Sequence, residues 1–169
     1  MEKLSLESNE AMPPVIRNVI SEDYTAVCRL FEEGDAFHRD ALPNLFRQVL
    51  PPRAKEFVEG FIGNDNAQMR VAVSGTELSG LVHFHVVTIA DRPIMVSRTY
   101  IMVDTLIVGK NYRHQGVGQT LMHSVHQWAK TKGIPEIELN VYAFNQAAID
   151  FYKNLGYETL YYRMKARLR

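Results

Sequence analysis

Apolar residues recur along the chain with two different periods, and the alternation between them outlines the fold. Val117, Leu121, Val125, Trp128 and Ala129 follow helical spacing until Gly133 and Pro135 stop it. Immediately upstream, "TYIMVDTLIVG" is an apolar run rich in β-branched residues and of strand length. Earlier, "VIRNVI" reads as a short strand, and Ser21 is placed as N-cap of a helix whose apolar face carries Ala26, Val27, Leu30 and Phe31. "GDAFHRDALPNLF" reads as an irregular connection. A second helix is predicted near Pro51-Pro52, with Phe57, Val58, Phe61 and Ile62 on its apolar side. "QMRVAVSGTELSGLVHFHVVTIA" predicts a hairpin around Ser74-Gly75-Thr76-Glu77. After the long helix come a strand in "EIELNVY", a helix in "NQAAIDFYKNL" ended by Gly156, and a closing strand or strand pair in "YETLYYRMKARL". This order predicts a mixed α/β sheet in a single domain.

Composition narrows the class. A chain of 169 residues is long enough for one sizeable core. Its 19 basic and 19 acidic residues cancel, so no charge excess points to nucleic acid or an anionic membrane. No apolar run is long enough to span a bilayer. The opening residues, 1–12, lack the basic and apolar regions of a signal peptide and are expected to form a flexible tail before a domain over 13–169. The single cysteine, Cys28, permits no internal disulfide, fits a cytoplasmic location, and lies among apolar neighbours as buried filler rather than a nucleophile.

Chemistry concentrates in "NYRHQGVGQTLM". Its glycines fall between a strand and a helix, where backbone N–H groups lack intrahelical partners and the helix dipole favours an anion. Arg113 adds a fixed positive charge, and His114, when protonated, a second. The segment therefore reads as a phosphate cradle, although glycines that only permit a tight turn would also fit. It is neither of two familiar phosphate loops. Gly118 is followed by Gln119 where a mononucleotide loop needs Lys, and Leu121 stands where a dinucleotide turn needs a third glycine. In the second informative segment, "NVYAFNQAAIDFYKNLGY", Asn145 is a natural N-cap, and Asn145, Ala148, Ile149 and Tyr152 share one helical face. Alone, that stripe also fits a core-facing helix.

Taken together, R-x-x-G-x-G (Arg113, Gly116, Gly118), a helix, a strand, and then N-x-x-A-x-x-F-Y-x-x-x-G-Y (Asn145, Ala148, Phe151, Tyr152, Gly156, Tyr157) resemble the general N-acetyltransferase superfamily, GNAT. The resemblance implies a partly splayed mixed sheet of about six or seven strands flanked by about four helices. It also implies acetyl-CoA as co-substrate, with its pyrophosphate on the amides of Arg113, His114, Gln115, Gly116, Val117, Gly118 and Gln119. The pantetheine arm would pair along Leu106, Ile107 and Val108, the Leu106 amide polarising the thioester carbonyl. Asn145 would contact the arm, and Tyr152 would stabilise the departing thiolate. A homodimer is common among such proteins and stays open here.

An amine acceptor implies a base. An alkyl ammonium of pKa near ~10 is almost wholly protonated at neutral pH, a penalty of roughly 4 kcal/mol. Asp104 is the candidate base. It sits in an apolar strand, and even spacing puts it on the same face as Leu106. Its alternative role is to hold the ammonium. His83 and His85 alternate on one strand face. They could assist a base, whereas as metal ligands they lack a third partner, so no metal is expected. His123 and His126 read as a solvated helix face. For the acceptor, Phe37, His38 and Phe46 are candidate pocket residues. Glu32, Glu33 and Asp35 either attract a cation or form an ordinary acidic helix end. A non-catalytic acetyl-CoA sensor, a protein N-terminal or lysine acetyltransferase, and transfer of another acyl group remain alternatives.

Overall fold

A computed structural model describes residues 13–168; the expected N-terminal tail, 1–12, lies outside them. The chain divides into two compact units between Leu139 and Asn140.

In the first unit, five strands form one sheet in the order β1-β2-β3-β4-β5: β1 (Val15–Asn18), β2 (Ala67–Ser74), β3 (Glu77–Ile89), β4 (Arg98–Val108) and β5 (Glu136–Leu139). The first four pair antiparallel, and β5 pairs parallel to β4. The β2–β3 hairpin turns at Gly75-Thr76 as expected, with Gly75 at φ +61°, which glycine adopts without steric cost. Helix α1 (Tyr24–Ala41) packs on one face of the sheet. Val27, Leu30 and Phe31 there join Met69, Val71, Leu81 and Ile107 in a buried core that also takes Val58 of the short α2 (Lys55–Glu59). Helix α3 (Val117–Lys132) also packs on the sheet, burying Val117, Leu121, Met122, Val125 and Ala129, with Trp128 edge-on to Phe84 at 5.2 Å. Each fully buried side chain of this kind contributes about 1.5–3 kcal/mol, so these apolar stripes hold the helices to the sheet.

Four expectations are corrected. Ser21 starts a single 3-10 turn rather than capping α1. Asp23 is the residue that accepts the Ile20 N–H (2.9 Å), while Arg17 grips its carboxylate at 2.6 and 2.8 Å. Helix α1 runs through Gly34 to Ala41, so the irregular connection begins only at Leu42. Gly34 is tolerated there because Ile107 presses against it: a Cβ would lie 3.0 Å from Ile107 Cδ1. The sheet has five strands among the described residues, not six or seven. The segment 158–168 forms no regular element. Leu160, Tyr161, Tyr162, Met164 and Leu168 are all largely exposed, so they lack the alternate burial that stabilises a strand.

The second unit contains α4 (Gln146–Asn154). As expected, Asn145 caps it, its side chain accepting the Ala148 N–H at 3.2 Å, and Gly156 follows at φ +88°.

Candidate active site

The glycine turn has the geometry an anion needs. Gly116 is the N-cap of α3 at φ +78°, a left-handed conformation that L side chains disfavour. The first intrahelical bond of the turn is Thr120 N–H to Gly116 C=O at 3.0 Å, which leaves the amides of Val117, Gly118 and Gln119 without an intrahelical acceptor. No side chain caps this end, and no acidic residue occupies its first turn. His114 is also left-handed, at φ +61°, a conformation that costs a non-glycine residue energy and is concentrated at functional turns. Arg113 is tethered by its Nε to the Val108 carbonyl at 3.2 Å, which holds the guanidinium beside the turn.

The edge of β4 supplies a second half. Parallel pairing with β5 begins at Tyr100↔Glu136 and ends at Val103↔Leu139, so no strand of the sheet pairs with β4 on that side from Asp104 to Val108. The direction of the free groups follows from the ladder. Gly109 donates its N–H to the Ser79 carbonyl (2.9 Å), and backbone groups alternate sides along an antiparallel strand. Thr105 and Ile107 therefore turn their N–H and C=O toward β3, while Leu106 and Val108 turn theirs to the unpaired edge. Of the three expected edge residues, Leu106 and Val108 present backbone groups there. Ile107 contributes a side chain to the α1 core instead.

Asp104 lies where the sheet is irregular. The register passes from His83↔Thr105 to Phe84↔Val103, leaving Asp104 as an extra residue in a β-bulge. In an even strand it would share the face of Leu106. The bulge instead inverts the phase after it: Asp104 keeps the face of Met102, His83 and His85, and Leu106 passes to the other face. His85 Nδ1 lies 2.7 Å from Asp104 Oδ2 and His83 Nδ1 lies 3.5 Å from the same oxygen. The His83 contact is too long for a hydrogen bond, and its buried Nδ1 has none. Burial pushes the Asp104 carboxyl upward, but the two imidazoles outweigh it and hold the group below the usual carboxylate range. His83 is itself packed by phenylalanines, with ring centroids 5.3 Å from Phe61, 5.7 Å from Phe57 and 6.0 Å from Phe31. Sequence reading assigned Phe57 and Phe61 only to the apolar side of a helix. Their place beside His83 depends on a contact between distant segments that no local spacing signals.

The other candidates fall elsewhere. Phe37, His38 and Phe46 do form a cluster, with His38 5.7 Å from Phe37 and 5.5 Å from Phe46 and its Nδ1 2.9 Å from the Gly34 carbonyl. The acidic end of α1 is not a loose patch: Glu32 pairs with Arg39 (3.0 Å), Asp35 with Arg53 (2.8 Å), and Glu33 accepts the Lys110 N–H (2.9 Å). Cys28 is half-buried, its Sγ 3.7 Å from the Arg53 carbonyl. Among the described residues no group of three His, Cys, Asp or Glu is arranged to hold a metal, and no helix is long and apolar enough to cross a membrane. In the second unit, Tyr152 stands 5.7 Å from Tyr157 and 5.2 Å from Phe151, and burial raises its phenol to about 12. Tyr157 is raised as well, by burial and by Tyr152.

The family model described as the acetyltransferase (GNAT) family matches residues 30–157. An uncharacterised N-acetyltransferase from Methanocaldococcus jannaschii is 36% identical over 56 residues, which span 33% of this chain and 25% of that relative. Among solved structures, a tetramutant protein from Bacillus halodurans superposes with a TM-score of 0.87 at 24% identity, covering 91% of this chain and 99% of that one. An aminoglycoside acetyltransferase from an uncultured soil metagenomic sample, in complex with trehalose, superposes at 0.67 with 19% identity, covering 92% and 97%. At these identities the structural likeness speaks for the fold alone.

Proposed function

The chain belongs to the acetyltransferase (GNAT) family, and from that premise we propose that it transfers the acetyl group of acetyl-CoA to a primary amine by direct attack within a ternary complex. The observation that carries this reading is the pairing of an uncapped, acid-free helix N-terminus at Gly116 with an unpaired β4 edge at Leu106 and Val108. A pyrophosphate fits the first, since free amides and the helix dipole favour it. An extended amide-bearing arm fits the second, since it completes a ladder that the sheet leaves open. Arg113 and His114 flank the turn, and Gln115, Val117, Gly118 and Gln119 complete the cradle.

Acetyl-CoA supplies an activated acyl group, and the residues of the chain do the rest. The Leu106 N–H stabilises charge developing on the thioester oxygen. Asn145 orients the arm while capping α4. The Asp104 cluster receives the ammonium and the proton it must lose. Tyr152 donates a hydrogen bond to the departing thiolate. Full proton transfer from a phenol at about 12 to a thiolate whose acid has pKa near ~8.5 is uphill by roughly 5 kcal/mol, so the hydrogen bond is the useful contribution. The acceptor is a small-molecule amine: a carboxylate beside two imidazoles, one of them packed by Phe57 and Phe61, suits a cation with an apolar body.

Acetyl-CoA-dependent thiol release across polyamines, aminoglycosides, amino acids and short peptides tests the reading. Release with one small-amine class is expected. Release only with peptides would move the acceptor to a protein N-terminus or lysine. Acetyl-CoA binding with no release from any acceptor would favour a non-catalytic sensor.

A further inference from the structure

We propose that His85 is the general base of the reaction and that Asp104 is its positioning residue. The inference rests on the acetyltransferase reading above and deepens it. A carboxylate can only accept a hydrogen bond, so the 2.7 Å contact between His85 Nδ1 and Asp104 Oδ2 places the imidazole proton on Nδ1. In the neutral ring this leaves the lone pair on Nε2. The side chain of His85 is 42% exposed, so that nitrogen is open to an incoming ammonium. Its cross-strand neighbours, Ala67 and Met102, carry no charge, which leaves Asp104 as the group that fixes the ring.

The sheet makes the arrangement possible. Met102 pairs with His85 and Val103 with Phe84, so strand alternation puts Asp104 on the face of His83 and His85, and the bulge leaves it unpaired beside them while Leu106 passes to the opposite face. Asp104 is a poor proton acceptor in its own right. An ordinary carboxylate, near ~4, is already a weaker base than an imidazole, near ~6.5, by more than two orders of magnitude. The histidines at its side weaken it further. His83 does not compete for the base role, because it is 8% exposed and enclosed by phenylalanines.

In the step, the ammonium gives one proton to His85 Nε2 and becomes the free amine. Its lone pair forms the C–N bond to the thioester carbonyl carbon, and the C–S bond breaks with its electrons on sulfur. The second proton on nitrogen passes to the thiolate, and the imidazolium returns its proton to solvent. The products are the amide, the free thiol of CoA and one proton.

The test uses the full chain, acetyl-CoA and a series of primary alkylamines graded in pKa by fluorination, compared in wild type, His85→Gln, His85→Ala and Asp104→Asn. His85→Gln is expected to lower kcat/KM for the most basic amine by roughly 10²–10⁴-fold. The loss shrinks as amine pKa falls, and acetyl-CoA affinity measured by calorimetry stays within about twofold. Added imidazole partly restores His85→Ala but not Asp104→Asn, whose ring remains in place in the wrong tautomer. A loss independent of amine pKa, or a His85→Gln protein as fast as wild type, overturns the assignment and leaves the acetyltransferase reading standing. A wild-type protein that binds acetyl-CoA but acetylates no amine overturns both.

Discussion

Gly80→Ala probes both halves of the proposed site through one added methyl group. Gly80 pairs with Val108 at the end of β4, and α3 crosses above it. A Cβ at Gly80 would stand 2.7 Å from the Ile107 carbonyl oxygen, 3.1 Å from Leu121 Cδ1 and 3.2 Å from Val117 Cγ1. The two side-chain contacts can relax by a few tenths of an ångström. The carbonyl cannot, because it belongs to β4, and it is about 0.7 Å too close for ordinary contact. Relief requires β4 to move from β3 or α3 to lift from the sheet. Overpacking of this kind costs about 1–3 kcal/mol. At about 2–4 °C per kcal/mol for a chain of this size, the midpoint of thermal unfolding should fall by roughly 2–12 °C. Either displacement also disturbs the Leu106–Val108 edge or the first turn of α3, so acetyl-CoA affinity should weaken with stability. Differential scanning calorimetry with and without acetyl-CoA measures both. An unchanged midpoint would show that the β3–β4–α3 junction is looser than these distances require, and the geometric basis of the site would fall with it.

Four further outcomes are expected. Gly116→Ala meets nothing closer than Gln119 Oε1 at 3.9 Å, so its cost is conformational, about 1–2 kcal/mol for a side chain at φ +78°, read in urea unfolding and in weaker acetyl-CoA binding. In the proposed mechanism Tyr152→Phe removes a hydrogen bond to a developing anion, worth about 1.5–3 kcal/mol, and should lower kcat by roughly ten- to 150-fold with little change in acetyl-CoA affinity; equal rates would remove Tyr152 from the mechanism. Asp23 is pushed up by burial, but its bonds from Arg17 and the Ile20 amide outweigh that and leave its folded pKa below the ordinary value. Its contribution is therefore complete above pH ~4 and lost as pH falls through the folded pKa, so Asp23→Asn should destabilise by about 1–3 kcal/mol at pH 7 and progressively less as pH falls through the folded pKa. Phe61→Ala opens the wall around His83, and should raise KM for the amine more than it lowers kcat, with loss of packing energy visible in the same unfolding assay.

Much of the architecture was legible because it is written in short-range patterns. The Ser74–Glu77 turn, the stop at Gly133, the cap at Asn145 and the strand-to-helix glycine turn each depend on neighbouring residues, so local spacing and backbone freedom suffice. The failures share a cause. Gly34 marks a break in a helical pattern, yet α1 continues through it because Ile107, 73 positions away, fills the space a side chain would need. The apolar and aromatic residues of 158–168 satisfy strand propensity, but a strand also needs an edge to pair with, and propensity cannot supply one.

The site divides the same way. Sequence alone determined which chemistry is present: an acid within an apolar strand, two histidines alternating on another, and glycines at a helix start. That Asp104 and Leu106 occupy different faces was decided by one unpaired residue in the β3–β4 register, since a period of two inverts with every inserted residue. That inversion took Leu106 to the other face and left Asp104 on the face of Met102 and His85. That no strand pairs with the outward backbone groups of Leu106 and Val108 was likewise set by where β5 stops pairing, at Val103↔Leu139. Register and pairing length are properties of two strands at once, so tertiary structure decided them.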